Sequence, residues 1–170
     1  GFFFDSTRCT GCRTCEMACK DYKDLPETIA FRRVYDYEGG TWTDAGDGIY
    51  TTDTFAYHVS LACNHCAMPA CMAKCPSGAI EKDPDTGLVH IDQDTCTGAG
   101  VCVTTCPYNV PVLNEETKLG SKCDGCADRV AEGLNPICVD ACPEGAVQLV
   151  DTTAAVFSIG EDSADSPAAR

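Results

Sequence analysis

The sequence predicts a small α+β protein, rich in loops, organised around cysteine rather than around a large apolar core. Three observations lead there. Cysteine supplies 15 of 170 residues, a level at which a short chain is ordinarily a disulfide scaffold or a metal protein. Those cysteines recur in four groups of similar spacing. The apolar runs between the groups are strand-sized, and no long helical period appears.

The elements follow in chain order. Phe2 to Phe4 precedes the first cysteine group, Ala56 to Leu61 the second and Leu88 to Ile91 the third, while Ala146 to Val150 follows the fourth. Each run reads as a strand. Ala79 to Glu81, a turn over Asp83 to Gly87, and Leu88 to Ile91 read as a β-hairpin with Pro, Asp and Gly at its turn. Gly100 to Thr105 and Asp124 to Glu132 each suit a short helix. Metal cross-links then stabilise what a thin core cannot.

Charge narrows the function classes. Lys and Arg total 12 against 26 for Asp and Glu, a net charge of -14. Such a surface repels phosphate backbones, so nucleic acid is a poor partner. It also has no basic attraction to an anionic bilayer. No apolar run approaches the roughly 18 residues of a membrane-spanning helix, so no direct span is expected.

The cysteines carry the chemistry. The first group is Cys9, Cys12, Cys15 and Cys19; the second Cys63, Cys66, Cys71 and Cys75; the third Cys96, Cys102 and Cys106; the fourth Cys123, Cys126, Cys138 and Cys142. Pro76, Pro107 and Pro143 directly follow the last cysteine of three groups, and Lys20 follows the first. Disulfides need no fixed local spacing and leave the repeat unexplained. Structural zinc favours paired Cys-x-x-Cys or Cys/His sets, which the dense first group fits badly.

Iron–sulfur clusters account for the pattern best, because Cys9-x2-Cys12-x2-Cys15-x3-Cys19 has ferredoxin spacing apart from the final Pro. Three thiolates two residues apart reach three corners of one cube, and the fourth is expected to face the other way, toward a second cube. Gly11, Gly98 and Gly125 fall between the first two ligand positions of their groups, where a positive φ lets amides turn toward the sulfides.

Four groups make a two-cluster ferredoxin used twice. The expected organisation is two ferredoxin-like modules with a nested connection. Residues 1–30 and 117–150 form one module and residues 56–116 the other. Residues 31–55 are an insertion carrying Phe31, Arg32, Arg33, Tyr35, Tyr37, Trp42 and Tyr50, which suits a partner interface or a cover over one cluster. Residues 151–170 read as a tail or an arm along a partner.

The stretches GFFFDSTRCTGCRTCEMACKDYKDL, FRRVYDYEGG, CNHCAMPACMAKCPSGAI and SKCDGCADRVAEGLNPICVDACP resemble the four-cluster electron-transfer subunits of the dimethyl sulfoxide (DMSO) reductase family of molybdopterin oxidoreductases. The likeness runs from Gly1 to Val150.

The resemblance implies a non-catalytic relay. Cys9, Cys12, Cys15 and Cys142 would hold cluster one, and Cys123, Cys126, Cys138 and Cys19 cluster two. Cys63, Cys66, Cys71 and Cys106 would hold cluster three, and Cys96, Cys102 and Cys75 cluster four. It further implies that cluster one lies nearest a molybdopterin catalytic subunit and cluster four nearest a membrane-anchor, quinol-oxidising subunit. Single electrons would pass between those partners toward an S-oxide or N-oxide. Flow in reverse, from a formate dehydrogenase-, polysulfide reductase- or hydrogenase-type complex, and a free polyferredoxin are the alternatives.

No secretory leader is read at Gly1. Membrane association would come through the partners, at the cytoplasmic face or, after export on a partner's twin-arginine signal, outside it.

Ala99 departs from the pattern, standing where the family has a cysteine. Alanine has no lone pair for iron, so three thiolates remain. A 3Fe–4S cluster is favoured, beside three 4Fe–4S clusters; a cube with an oxygen ligand and an empty site are the other outcomes. His65, inside Cys-Asn-His-Cys, reads as a neighbour of the ligands or a surface residue, because its cysteine set is complete. His58 and His90 read as ordinary strand residues and Lys20 as solvated. Met17 and Met68 are expected to pack against clusters or core.

Overall fold

The thin apolar runs become short strands, and each strand finds one partner. The structure, a computed structural model, describes residues 1–150; the tail expected over 151–170 lies outside the described residues. Its strands form five two-stranded antiparallel sheets, joined by loops and helices of four to nine residues. The α+β, loop-rich class is therefore seen directly.

Strand β1 (Phe2–Phe4) pairs with β10 (Val147–Leu149), Phe2 opposite Leu149. Helix α1 (Thr14–Tyr22) packs on α5 (Ile137–Asp140). Together they bring the first and fourth cysteine groups side by side. Cys15, Val34 and Cys138 form one buried cluster there, with Phe2 and Val139 against it. Lys23, at the end of α1, clamps the same region by ion pairs to Asp124 (2.9 Å) and Asp128 (3.1 Å).

A second buried cluster joins the middle groups. Ile80, Val89 and Cys102 meet there, with Cys71, Cys75, Ile91 and Val103 packed on them. The expected hairpin is present as β6 (Ile80–Lys82) and β7 (Val89–Ile91). Its turn is built by Asp83, whose carboxylate accepts from the Asp85 and Thr86 amides at 2.9 and 2.7 Å. Helix α2 (Ala70–Ala73) packs on α3 (Val101–Thr105). Strands β8 (Val112–Leu113) and β9 (Gly120–Ser121) close the loop toward α4 (Ala127–Ala131).

The cysteine-free stretch is a β arm. Strand β2 (Arg33–Gly39) pairs along its whole length with β5 (Phe55–Leu61), and β3 (Trp42–Gly46) pairs with β4 (Ile49–Thr52) beyond it. Tyr37 stacks on Tyr57 with centroids 5.2 Å apart, a cross-strand aromatic pair that helps fix the register. Tyr35, Tyr37, Trp42, Ile49, Tyr50 and Phe55 are all exposed.

Cys19 stands one helical turn beyond Cys15 on α1 and is absent from the cavity that Cys15 lines. Two expectations are corrected. Lys20 is not simply solvated: its ammonium donates to the carbonyls of Glu27 (2.7 Å) and Ile29 (3.2 Å) and ties down the following loop. Met17 and Met68 do not pack inside, being 62% and 90% exposed. Met17 is two residues from both Cys15 and Cys19 and so lies on the opposite helix face.

This division between core and surface is measurable. Ile80→Ala should destabilise the cluster-loaded protein by about 2–5 kcal/mol. Met68→Ala should stay within about 0.5 kcal/mol of the parent. Anaerobic denaturant titration compares them, and equal midpoints for the two variants would contradict the packing.

Candidate iron–sulfur centres

Backbone geometry at the cysteine groups is set by glycine. Gly11, Gly98 and Gly125 adopt φ of +70°, +70° and +74°, the positive values expected from their places between ligands. A Cβ on Gly98 would lie 2.3 Å from the Lys118 carbonyl oxygen, and one on Gly125 2.5 Å from Leu88. The turns therefore need both the backbone freedom and the missing side chain.

The thiols collect in four places, and none of the fifteen is in a disulfide. Cys9, Cys12, Cys15 and Cys142 line one cavity of about 310 Å³, with Val34 and Ser60. Cys63, Cys66, Cys71 and Cys106 line another of about 320 Å³, with Val89 and Lys122. Cys75, Cys96 and Cys102 line a third of about 330 Å³, and Ala99 is part of its wall between Gly98 and Gly100. All three volumes include space open to solvent. Cys19, Cys123, Cys126 and Cys138 are all buried, and Cys19 feels the other three as like charges. Among the described residues no three His, Cys, Asp or Glu side chains converge on one point as a single metal ion would require.

Electrostatics sort the thiols by depth. Burial, aided by neighbouring thiols, pushes Cys19 up to about 12. Burial likewise pushes Cys123 up to about 12, against the opposing Gly125 amide. Cys15, Cys71, Cys102 and Cys126 are also raised by burial. Exposed Cys12 is lowered instead, chiefly by the Thr14 hydroxyl, which donates to its sulfur at 3.3 Å. Backbone amides aim at sulfur elsewhere. Ala146 N–H donates to Cys142 at 3.2 Å, Gly120 N–H to Cys96 at 3.4 Å and Gly125 N–H to Cys123 at 3.4 Å. Buried thiolates held by such donors suit a polynuclear cluster, whose positive irons offset the desolvated charge. The donor set is sulfur throughout, the soft chemistry that iron–sulfur clusters select. The residues present fit them.

Other side chains enter that spacing alone did not reveal. His65 is buried; its Nδ1 accepts from the Val89 amide at 2.8 Å, which leaves Nε2–H pointing to Cys123 sulfur at 3.9 Å. It touches the fourth group while belonging to the second. Lys122 is buried beside the Cys63 set, where its ammonium donates to the carbonyls of Val89 and, at 2.9 Å, Cys123. Lys82 donates to the carbonyls of His65, Cys66 and Gly87 at 3.2, 3.1 and 2.7 Å. Ser60 lies 3.4 Å from Cys15 sulfur. Most of these contacts are long-range in sequence and leave no local spacing. His58 stands over Gly11 and bonds Asp36 at 2.8 Å, supporting the first loop.

Comparison with known proteins agrees with this chemistry. A 4Fe–4S dicluster domain model matches residues 54–152, and a 4Fe–4S binding domain model matches residues 6–23. The B subunit of anaerobic dimethyl sulfoxide reductase from Escherichia coli K12 is 54% identical over 143 residues, covering 84% of this chain and 69% of that protein. Thiosulfate reductase electron transfer subunit PhsB of Salmonella typhi is 37% identical, covering 85% and 71%. The hydrogenase-2 operon protein HybA of Escherichia coli O157:H7 is 36% identical, covering 86% and 50%. The chain belongs to the ferredoxin-type iron–sulfur subunit family that includes the B subunit of anaerobic dimethyl sulfoxide reductase.

Proposed function

We propose that this protein is a non-catalytic electron relay between a membrane quinol-oxidising subunit and a molybdopterin catalytic subunit that reduces an S-oxide or N-oxide. The carrying observation is the distribution of thiols: three separate cavities lined by four, four and three cysteines, and one buried set of four. Clusters bound there exchange single electrons without needing a proton or a substrate pocket. Among the described residues no helix is long and apolar enough to cross a membrane; in this reading the membrane-anchor partner provides attachment.

The cluster sets in this reading are Cys9, Cys12, Cys15 and Cys142; Cys19, Cys123, Cys126 and Cys138; Cys63, Cys66, Cys71 and Cys106; and Cys75, Cys96 and Cys102. The first two sets share one ferredoxin-like module (1–30 with 117–150) and the last two the other (56–116), the second nested within the first. Support comes from the β1–β10 pairing, which draws residues 2–4 and 147–149 together. Residues 31–55 form the partner-facing arm, supported by the exposed aromatic side chains along it. The side of the membrane follows the partner: a twin-arginine leader borne by the catalytic subunit would export this subunit already folded.

A second reading has electrons entering from a hydrogenase- or formate dehydrogenase-type partner, a direction favoured by the likeness to HybA. Anaerobic purification of the intact complex separates the two. The first predicts copurification of molybdopterin, cluster reduction by a quinol analogue and reoxidation by an S-oxide. Reduction by hydrogen or formate would instead establish the second, and an isolated monomer with full clusters would refute both.

Ala99 leads to a sharp expectation: three 4Fe–4S clusters and one 3Fe–4S cluster. Oxidised protein should show a three-iron electron paramagnetic resonance signal, and Ala99→Cys should abolish it while adding one iron per chain. Retention of the signal in the variant would show that position 99 does not face the site. On the arm, Trp42→Ala should weaken binding of the catalytic subunit by about tenfold or more and leave iron content unchanged. Pull-down of the variant against the parent at graded concentrations reads this directly.

A further inference from the structure

The most enclosed charge in the protein lies outside every cysteine group. Arg32 is 2% exposed and heads the fully buried side chains. None of the ion pairs among the described residues includes it. Its Nη1 donates to the Ser60 hydroxyl at 3.0 Å and grazes the Ser60 carbonyl at 3.5 Å. Its guanidinium carbon stands 4.8 Å from the centroid of the Phe2 ring. Nε and Nη2 are buried with no hydrogen-bond partner among the described residues. Arginine cannot shed its proton to escape this position, and a buried cation without an anion is strongly disfavoured. Among the described residues, then, Arg32 brings a buried positive charge and two donors with no anion beside them.

The surroundings say what that is. Phe2, whose ring lies beneath Arg32, packs on the buried cluster of Cys15, Val34 and Cys138. Cys15 belongs to the set with Cys9, Cys12 and Cys142; Cys138 belongs to the neighbouring buried set with Cys19, Cys123 and Cys126. Arg32 thus stands near both. Ser60 extends its reach. The serine oxygen accepts from Arg32 and lies 3.4 Å from Cys15 sulfur, so its own hydrogen is free to point at that sulfur. Ser60 also lines the first cavity.

We propose that Arg32 is a redox-positioning cation for the two clusters held by these sets, with Ser60 relaying its hydrogen bond to Cys15. The inference rests on the cluster sets under Proposed function. A cube with four thiolates is an anion and gains one negative charge with each electron, no proton being taken up. A fixed cation and sulfur-directed donors favour the more negative, reduced form and so raise the midpoint potential. Arg32 does this for the pair of sets joined by β1–β10, and the two remote sets lie beyond its direct contacts.

The test is potentiometric electron paramagnetic resonance on the intact complex, with iron and sulfide assayed in each sample. Parent protein without clusters would refute the proposed function itself, independently of Arg32. Given clusters, Arg32→Gln should lower one or two of the four midpoints. The reduced-to-oxidised ratio at fixed poise should fall about tenfold, equal to 59 mV for one electron. The other midpoints should hold. Arg32→Lys, which keeps the charge, should recover most of the shift. Ser60→Ala should give a smaller fall confined to one cluster. Four unchanged midpoints in Arg32→Gln with full iron content would overturn the proposal, as would an equal shift of all four. Should Arg32→Gln fail to assemble, the other variants decide: unchanged midpoints in Ser60→Ala would overturn the relay. A large fall in Arg32→Lys would show that geometry, not charge, matters at this position.

Discussion

Everything here turns on taking sulfur out of water. A thiolate buried alone is penalised strongly enough that Cys19 and Cys123 are pushed up to about 12, so without metal they stay protonated at neutral pH. Four such groups brought together are worse, since each opposes ionisation of the next. Iron reverses the sign of that interaction, because the positive centres sit among the sulfurs. The same burial that opposes the metal-free thiolates shields the loaded clusters from solvent. Cysteine therefore serves as both core and ligand, and the buried apolar clusters each contain it.

That dual use explains the economy of the rest. Strands of two to seven residues, paired in twos, could not hold a domain of this length on their own. They set direction rather than stability: β1 with β10 joins residues 2–4 to 147–149, β6 with β7 carries Ile80 and Val89 into the middle cluster, and α1 offers Cys15 and Cys19 on one face. Glycines at Gly11, Gly98 and Gly125 then bend the ligand loops where a side chain would collide with neighbours.

Local chemistry is legible in local sequence. The strands at Phe2, the hairpin at Asp83, the helix before Cys106 and the positive φ of three glycines all follow from residues within a few positions of one another. Helix α1 leaves no such signal, because its nine residues carry two buried cysteines where an amphipathic stripe would show aliphatic residues, so the usual period is hidden. The pairing of β2 with β5 is equally silent, because the arm is exposed on both faces over much of its length, which removes the alternation that marks a half-buried strand. His65, Lys122, Ser60 and Arg32 are beyond reach for another reason: each makes a contact with a residue distant in sequence, and no spacing rule encodes a contact made only after folding.

The proposed chain of clusters is also a problem in placing charge, and different residues solve it at different sites. Lys122 lies against the Cys63 set and opposes the rise that burial imposes on Cys71. Arg32 bonds Ser60 beside Cys15 and stands over Phe2, which packs on Cys15 and Cys138. At the Cys75, Cys96 and Cys102 cavity no buried lysine or arginine forms part of the lining. There Ala99 leaves three cysteines in the lining; the three-iron cluster proposed for them would be all ferric when oxidised, and so readier to accept an electron than a four-iron cube. In this reading Ala99 is the counterpart of Arg32 at the far end of the relay, because each makes a buried cluster easier to reduce than its sulfur shell alone would allow.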